Sequence, residues 1–423
     1  MLKLLATRRF GPFFGVQYLG AFNDNLYRFG LLFLITYRLM ADRPAEAAQL
    51  VTMASGLFIL PFVLFSGLAG QVADAIDKAR AVRAIKLAEI FIMLAGAAAM
   101  YLESIPAMFT VLFLMGLQST FFGPIKYSIL PQHLSHREIT GGTSLIEAGT
   151  FVSVLTGQIV AGLISTQVAM AAIIMVAILG YVAARAVPPA PAVPGRHPIS
   201  ANIFGSTLAV LRHLFAYRHL WLSVLIGSWF WAVGVVFTTL FLPLVQNTLG
   251  GTERVATLFL IAFSIGVASG SLVIGRVLRG QVSARTLGVS LLLMAVVNVD
   301  LYFALRGFPA PGEPLRDVGA FLAIADSWRI LVDLTLFAVG GGSFIVPVYT
   351  IMMTGSDAAL RSRTIAANNI LNALAMVIAA GSAGALLALG LRVPEILLIG
   401  AGVSAAMIWP ATLLKKTVQG MDL

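Results

Sequence analysis

The nine residues FNDNLYRFG, Phe22–Gly30, set two asparagines, an aspartate and an arginine inside an apolar run that begins at Phe10 and continues to Met40. An aspartate at the centre of a membrane-length run costs about 2.5–3.5 kcal/mol on insertion scales, so it calls for a partner or a wet cavity. Asp24 sits at the middle of this run, and Arg28 follows one helical turn later on the same face. Two readings fit that spacing. The pair can neutralise itself to ease insertion, or its two charges can serve a site. Asn23 and Asn25 flank Asp24, and Gln17 stands almost two turns before it. A pair meant only to cancel its own charge does not need this polar ring.

Other polar groups recur within apolar runs: Glu89, Glu147, Asn298, Asp300, Asp333, and the trio Asn368, Asn369 and Asn372, of which Asn368 and Asn372 lie one turn apart. For any single asparagine, a hydrogen bond between helices is as good an account as contact with a ligand. Lys126 falls near the end of a run, where it can receive an anionic group or snorkel to lipid phosphates. A different cluster, GQVADAIDKAR at 70–80, lies between two runs. There Gly70 permits close helix approach, and Asp74 can cap a neighbouring helix N-terminus or pair with an arginine. The plainer reading of Asp74, Asp77, Lys78 and Arg80 is a solvated loop.

The elements that position these groups follow from the composition. Of 423 residues, 59% are apolar and 11% charged, with a mean hydropathy of +0.93. A soluble domain needs roughly a quarter of its residues charged, so lipid must cover this surface. With about 20 apolar residues per span, the chain divides into spans at 10–39, 48–72, 85–103, 107–130, 141–165 and 167–187. A Pro-rich connector (PPAPAVPGRHPIS, 188–200) and a short amphipathic piece to His219 separate these from 220–247, 254–278, 284–305, 329–354, 364–390 and 394–414. Runs of this length satisfy their backbone only as helices, and the alternating pattern of a barrel is absent. The fold class is therefore an all-α polytopic membrane protein. It has six plus six spans: a bundle over 1–187, a linker over 188–219 and a bundle over 220–423.

The net charge of +10 reports loop topology rather than nucleic acid. With the N-terminus inside, the outer loops hold only Arg43, Arg254, Arg306, Arg316, Arg329 and Arg392. Arg28 and Arg38 fall within the first span, and the remaining lysines and arginines, Lys86 and Arg196 among them, fall on inner segments. This places both termini in the cytoplasm. No cysteine occurs, which excludes disulfides and thiolate metal sites. The start, MLKLLATRRFGPFF, lacks the short apolar core and small-residue cleavage site of a signal peptide. No phosphate-binding loop, HExxH or calcium loop appears, so ATP hydrolysis, metals and cofactors are not expected.

The segment GQVADAIDKAR resembles the inner-loop signature of the major facilitator superfamily, although Asp77 stands where that family usually has a second glycine. The equivalent segment of the second half, GSLVIGRVLRG at 270–280, keeps Gly270 but has Ile274 in place of the aspartate. Together, FNDN at 22–25, FFGPIKYSILPQHL at 121–134 and TSLIEAGTF at 143–151 resemble the lysophospholipid transporter family of that superfamily. The likeness runs through the N-terminal half and is architectural in the C-terminal half.

The superfamily resemblance implies that spans 1, 4, 7 and 10, backed by 2, 5, 8 and 11, line a cavity, while 3, 6, 9 and 12 face lipid. It makes Asn23, Asp24, Asn25, Arg28, Lys126, Glu147, Asp333, Asn368 and Asn372 candidate substrate-binding residues. Gly70, Asp74, Lys78 and Arg80 become candidate gating residues. Glu89 and Asp300 are expected near span ends or in structural roles. The family resemblance further implies a flippase, moving lysophospholipids from the outer to the inner leaflet of the bacterial inner membrane. A cytoplasmic-face acyltransferase would restore the missing chain, and the transporter itself would act as a monomer.

That cargo suits the residues. Asp24 can hold an ammonium and Arg28 a phosphate, while Phe13, Phe14, Phe22, Phe121, Phe122, Trp229, Phe230, Trp231 and Phe237 offer an apolar wall. Pro61, Pro124, Pro243 and Pro347 soften spans 2, 4, 7 and 10 for alternating access. The competing readings are a proton-coupled drug or small-solute transporter and, from another class, a membrane acyltransferase. The second needs a histidine base aligned by a carboxylate. His133 and Glu138 have the spacing, whereas His197 is followed by Asn202 and His213 by Arg218.

Overall fold

The structure is a computed structural model that describes residues 1–192, 199, 200, 202–312, 314–419 and 421. Arg196 and His197 of the linker lie outside the described residues. Twelve long helices follow the apolar runs: α1 (Gly11–Leu34), α2 (Pro44–Ala75), α3 (Lys78–Tyr101), α4 (Ile105–Ser128), α5 (His136–Leu163) and α6 (Thr166–Arg185), then α7 (Arg218–Asn247), α8 (Glu253–Val277), α9 (Leu287–Gly307), α10 (Ala325–Thr354), α11 (Arg361–Ala388) and α12 (Val393–Val418). A fourteen-residue helix, Ile203–Ala216, forms the second part of the linker. Short helical turns lie at Leu2–Ala6, Ile35–Leu39, Leu130–His133 and Val318–Leu322, and among the described residues the strand pairing is one bridge between Gly251 and Arg316.

Eleven of these helices are long and apolar enough to cross a membrane. The exception is α1. Its 24 residues reach about 36 Å at 1.5 Å per residue, enough for a hydrocarbon core of about 30 Å, and its polar group around Asp24 dilutes its hydropathy.

The helix ends have local causes. Pro44, Pro106 and Pro394 stand in first turns, where proline's missing N–H costs nothing. Asp77 caps α3, accepting from Arg80 N at 2.8 Å. Ser135 and Glu138 close a capping box on α5, and Ser165 caps α6, which separates the two closely spaced spans. The second glycine absent at position 77 is not needed, because Asp77 has φ −60°. The same side chain also accepts from Ala190 N at 2.9 Å.

The chain forms two compact units. Unit one comprises Met1–Gly142, Val152–Ala216 and Ser356–Ile370; unit two comprises Thr143–Phe151, Tyr217–Gly355 and Leu371–Leu423. In unit one α1 and α3 pack on α6, and α2 packs on α4 and on the linker helix. The start of the linker is tied down: Ala190 pairs with Asp77 and Lys78, Arg83 donates to Val187 O, and Gln132 donates to Pro191 O. In unit two α10 packs on α8 and α9, and α9 on α12. Asn298 crosses the last of these interfaces, donating to Leu397 O at 2.7 Å. The α8–α10 crossing is close enough that a Cβ at Gly270 would strike the backbone of Val339.

Candidate transport site

Successive residues on a helix point about 100° apart, so the three polar residues of FNDN face three different neighbours. Asn23 is fully buried and donates to Glu89 Oε1 at 3.0 Å and to Ile173 O at 3.2 Å, joining α1 to α3 and α6. Asp24 keeps some accessible surface, and its Oδ2 accepts from Ser119 Oγ of α4 at 2.6 Å. Asn25 donates to Ala21 O in its own helix and accepts from Gln158 of α5 at 3.4 Å. This crossing is tight: a Cβ at Gly157 would come within 2.6 Å of Phe22 O.

Arg28 does not pair with Asp24. Its guanidinium donates to Ser55 Oγ of α2 at 3.1 Å and lies 5.6 Å from the centre of the Phe58 ring. Its Nε is buried without a hydrogen-bond partner. The self-neutralising reading of the two charges is thereby removed.

The densest charge in this region belongs to a pair that the expected roles missed. Lys86 Nζ meets Glu89 Oε2 at 2.5 Å, and the two side chains are only 1% and 2% exposed. Glu89 also accepts from Gln118 Nε2 at 3.1 Å. Lys86 is therefore not an inner-loop cation, and Glu89 is not near a span end; both lie well inside α3. Nor does α3 face only lipid. Leu87, Phe91 and Leu94 are exposed on one side, while Lys86 and Glu89 turn inward. Removing one member of a buried pair costs about 3–5 kcal/mol, because the other charge is left stranded. The sequence signal was the i, i+3 spacing of Lys86 and Glu89 within one run, together with Gln118–Ser119 in another.

The remaining candidates are spread between the units. Lys126 lies on α4 with Nζ 5.2 Å from the Tyr127 ring centre. Asn368, fully buried, belongs to unit one. Glu147, Asp333 and Asn372 belong to unit two, and each is buried. Asn372 accepts from Ser228 Oγ at 2.8 Å and faces Tyr349 Oη, which in turn accepts from Trp231 Nε1 at 2.9 Å. Asp333 lies one turn from Arg329, which pairs with Asp300 at 2.5 Å on an exposed surface. Asn368 and Asn372, one turn apart in sequence, thus fall into different units.

Of the gating candidates, Gly70 and Asp74 meet α11. A Cβ at Gly70 would approach Ala366 Cβ to 2.7 Å. Asp74 accepts from the backbone N–H groups of Ser362 and Arg363 at 3.0 and 3.2 Å, at the first turn of that helix. Those N–H groups have no partner within their own helix, and a carboxylate there also favours the helix dipole. Lys78 is buried, with its backbone N–H on Ala190 O at 2.9 Å. Arg80 is exposed and joins the turn through its backbone N–H to Asp77.

The histidine–carboxylate pair required of an acyltransferase is not assembled. His133 Nε2 lies against Pro189 O at 3.3 Å, and burial lowers its pKa from the ordinary histidine range. Glu138 instead binds Arg9, at 2.7 and 2.5 Å, and caps its own helix through Ser135.

Long apolar helices carrying buried, hydrogen-bonded charges define a multi-pass membrane protein. A family model described as Major Facilitator Superfamily matches residues 18–313, and the chain belongs to that superfamily, whose members are transporters rather than enzymes. Solved structures agree on the fold. The human organic anion transporter MFSD10 aligns with a TM-score of 0.70 at 13% identity, covering 96% of this chain and 99% of its own. The Escherichia coli fucose:proton symporter FucP aligns with 0.67 at 13%, covering 96% and 98%. Among curated proteins, the lysophospholipid transporter LplT of Citrobacter koseri is 26% identical over 371 residues, 86% of this chain and 85% of its own. The LplT of Salmonella newport is 25% identical over 386 residues, with 86% and 84% covered.

Proposed function

We propose that the protein carries lysophospholipids from the outer to the inner leaflet of a bacterial inner membrane, by alternating access of two bundles, 1–187 and 220–423, about the linker 188–219. The observation that carries this reading is the pairing of unlike charges on α1 that do not satisfy one another. Asp24 keeps accessible surface against Ser119, and Arg28 has a buried Nε without a partner beside the Phe58 ring. A carboxylate and a guanidinium one turn apart suit a head group bearing an ammonium and a phosphate. The relatives named lysophospholipid transporters support the cargo.

In this cycle Asp24 takes the ammonium and Arg28 the phosphate, with Asn23, Asn25, Lys126, Glu147, Asp333, Asn368 and Asn372 serving the passage. Gly70, Asp74, Lys78 and Arg80 form the inner gate, with both termini cytoplasmic. The transporter acts as a monomer, and a cytoplasmic-face acyltransferase consumes what it delivers.

The test is transport in proteoliposomes of one head group on a long single chain, a short single chain and two chains. Each buried methylene adds about 0.8 kcal/mol, so long single chains should move well, short ones should bind poorly and two-chain lipids should be refused. Equal handling of all three would sink the lysophospholipid reading. Movement of a soluble cation without lipid activity would transfer the protein to the drug-transporter class.

A further inference from the structure

Asp24 is the outer member of a buried chain of polar contacts. Ser119 Oγ lies 2.6 Å from Asp24 Oδ2 and 3.1 Å from Gln118 Oε1, and its single proton can serve one of them at a time. The Gln118 amide is held in one sense, because its Nε2 donates to Glu89 Oε2 at 3.1 Å. Glu89 is fixed from three helices: by Lys86 of its own helix at 2.5 Å, by Gln118 of α4 and by Asn23 of α1 at 3.0 Å. The space for Lys86 is built. A Cβ at Gly20 would collide with its Nζ, a Cβ at Gly180 would touch its Cδ at 3.7 Å, and the Phe122 ring lies 5.4 Å from the ammonium.

We infer that Lys86 and Glu89 are positioning residues for Asp24. The pair cancels its own charge and orients Gln118 and Ser119, leaving Asp24 as the one uncompensated charge of this network, with Arg28 outside it on Ser55, so that Asp24 recognises a single monovalent ammonium on an amphiphile. This rests on the reading of Asp24 as the cation-binding group. With all three groups ionised the network carries one net negative charge. Glu89→Gln makes it neutral, Lys86→Gln makes it doubly negative, and the two substitutions together return it to one. In a water-poor site a unit charge a few ångströms away is weakly screened, so these counts translate into selectivity.

The experiment measures binding of dodecylammonium and of an uncharged dodecyl glyceryl ether, by calorimetry on the purified full chain. The readout is the ratio of the two affinities. The wild type should prefer the ammonium. Glu89→Gln should lower the preference about tenfold, and the double variant should restore it to within about threefold. Ser119→Ala keeps the ion pair and removes the link to Asp24, and should lower the preference several-fold; it carries the test if Glu89→Gln does not fold. A purely structural pair would leave the ratio unchanged in folded Ser119→Ala and Glu89→Gln. It would also leave the double variant no better than Glu89→Gln alone. Either result overturns the inference. Preference for the ammonium with the expected variant pattern, but no transport of any lysophospholipid, would uphold it while refuting the proposed cargo.

Discussion

The polar centres of the two units are made from different chemistry. Around Asp24 in unit one the groups are ionic: two carboxylates, the Lys86 ammonium and, one turn on, the Arg28 guanidinium. Around Asn372 in unit two they are neutral: a serine, an amide, a phenol and an indole in one chain of hydrogen bonds, with Phe151 stacked on Trp231 at 6.2 Å and 17°. A buried charge that loses its partner costs several kcal/mol. A neutral hydrogen bond contributes about 0.5–1.5 kcal/mol. The difference is one of contact rather than of inventory: in unit one the buried charges are joined to one another through Lys86, Glu89, Gln118 and Ser119, whereas the carboxylates of unit two, Glu147 and Asp333, stand apart from the neutral chain around Asn372. The same asymmetry recurs where α2 and α8 end. Asp74 caps α11 after Gly70, while the matching position after Gly270 is the buried, apolar Ile274.

The sharpest way to break this comparison is Asp24→Asn. It should reduce the proposed lipid transport by about 100-fold or more while the protein still elutes in detergent as the folded wild type does. Near-normal flipping would remove charge discrimination from unit one, and loss of folding would assign Asp24 to structure. Asp74→Ala comes next. It strips two N–H groups of α11 of their acceptor, so turnover should fall about tenfold with substrate affinity held within about twofold. A large loss of affinity with turnover intact would move Asp74 from gate to binding site.

Arg28→Lys keeps the charge and removes the planar fork. Affinity for a lysophospholipid should fall about fivefold, while that for an alkylammonium stays unchanged, because a lysine cannot engage phosphate in two places. An equal loss for both probes would mean that Arg28 acts through α1 packing. The smallest effect is expected in unit two. Tyr349→Phe deletes the hydroxyl shared by Trp231 and Asn372, and transport should change by about threefold or less. A loss as large as that of Asp24→Asn would abolish the distinction between the two regions.

Much of this molecule is determined by the sequence alone, because insertion into lipid and helix formation are summed over contiguous residues. Apolar run length locates the twelve helices, and local capping residues such as Ser135 and Ser165 set where α5 and α6 begin, although α3 starts at Lys78, seven residues before the expected 85. The Gly70–Asp74 spacing announces a close helix contact and a carboxylate available for a helix end. What the sequence leaves open is where each polar side chain points, since 100° of rotation per residue sends neighbours to different helices. Only the packed structure gives Asp24 to Ser119 rather than to Arg28, and Asp77 to both its own helix and the linker. His133 and Glu138 have catalytic spacing, yet tertiary contacts send one to Pro189 and the other to Arg9. Lys86 reads as a loop cation by its place near a run's edge. Its ammonium becomes a buried partner of Glu89 because Gly20 and Gly180, far from it in sequence, leave the room it occupies.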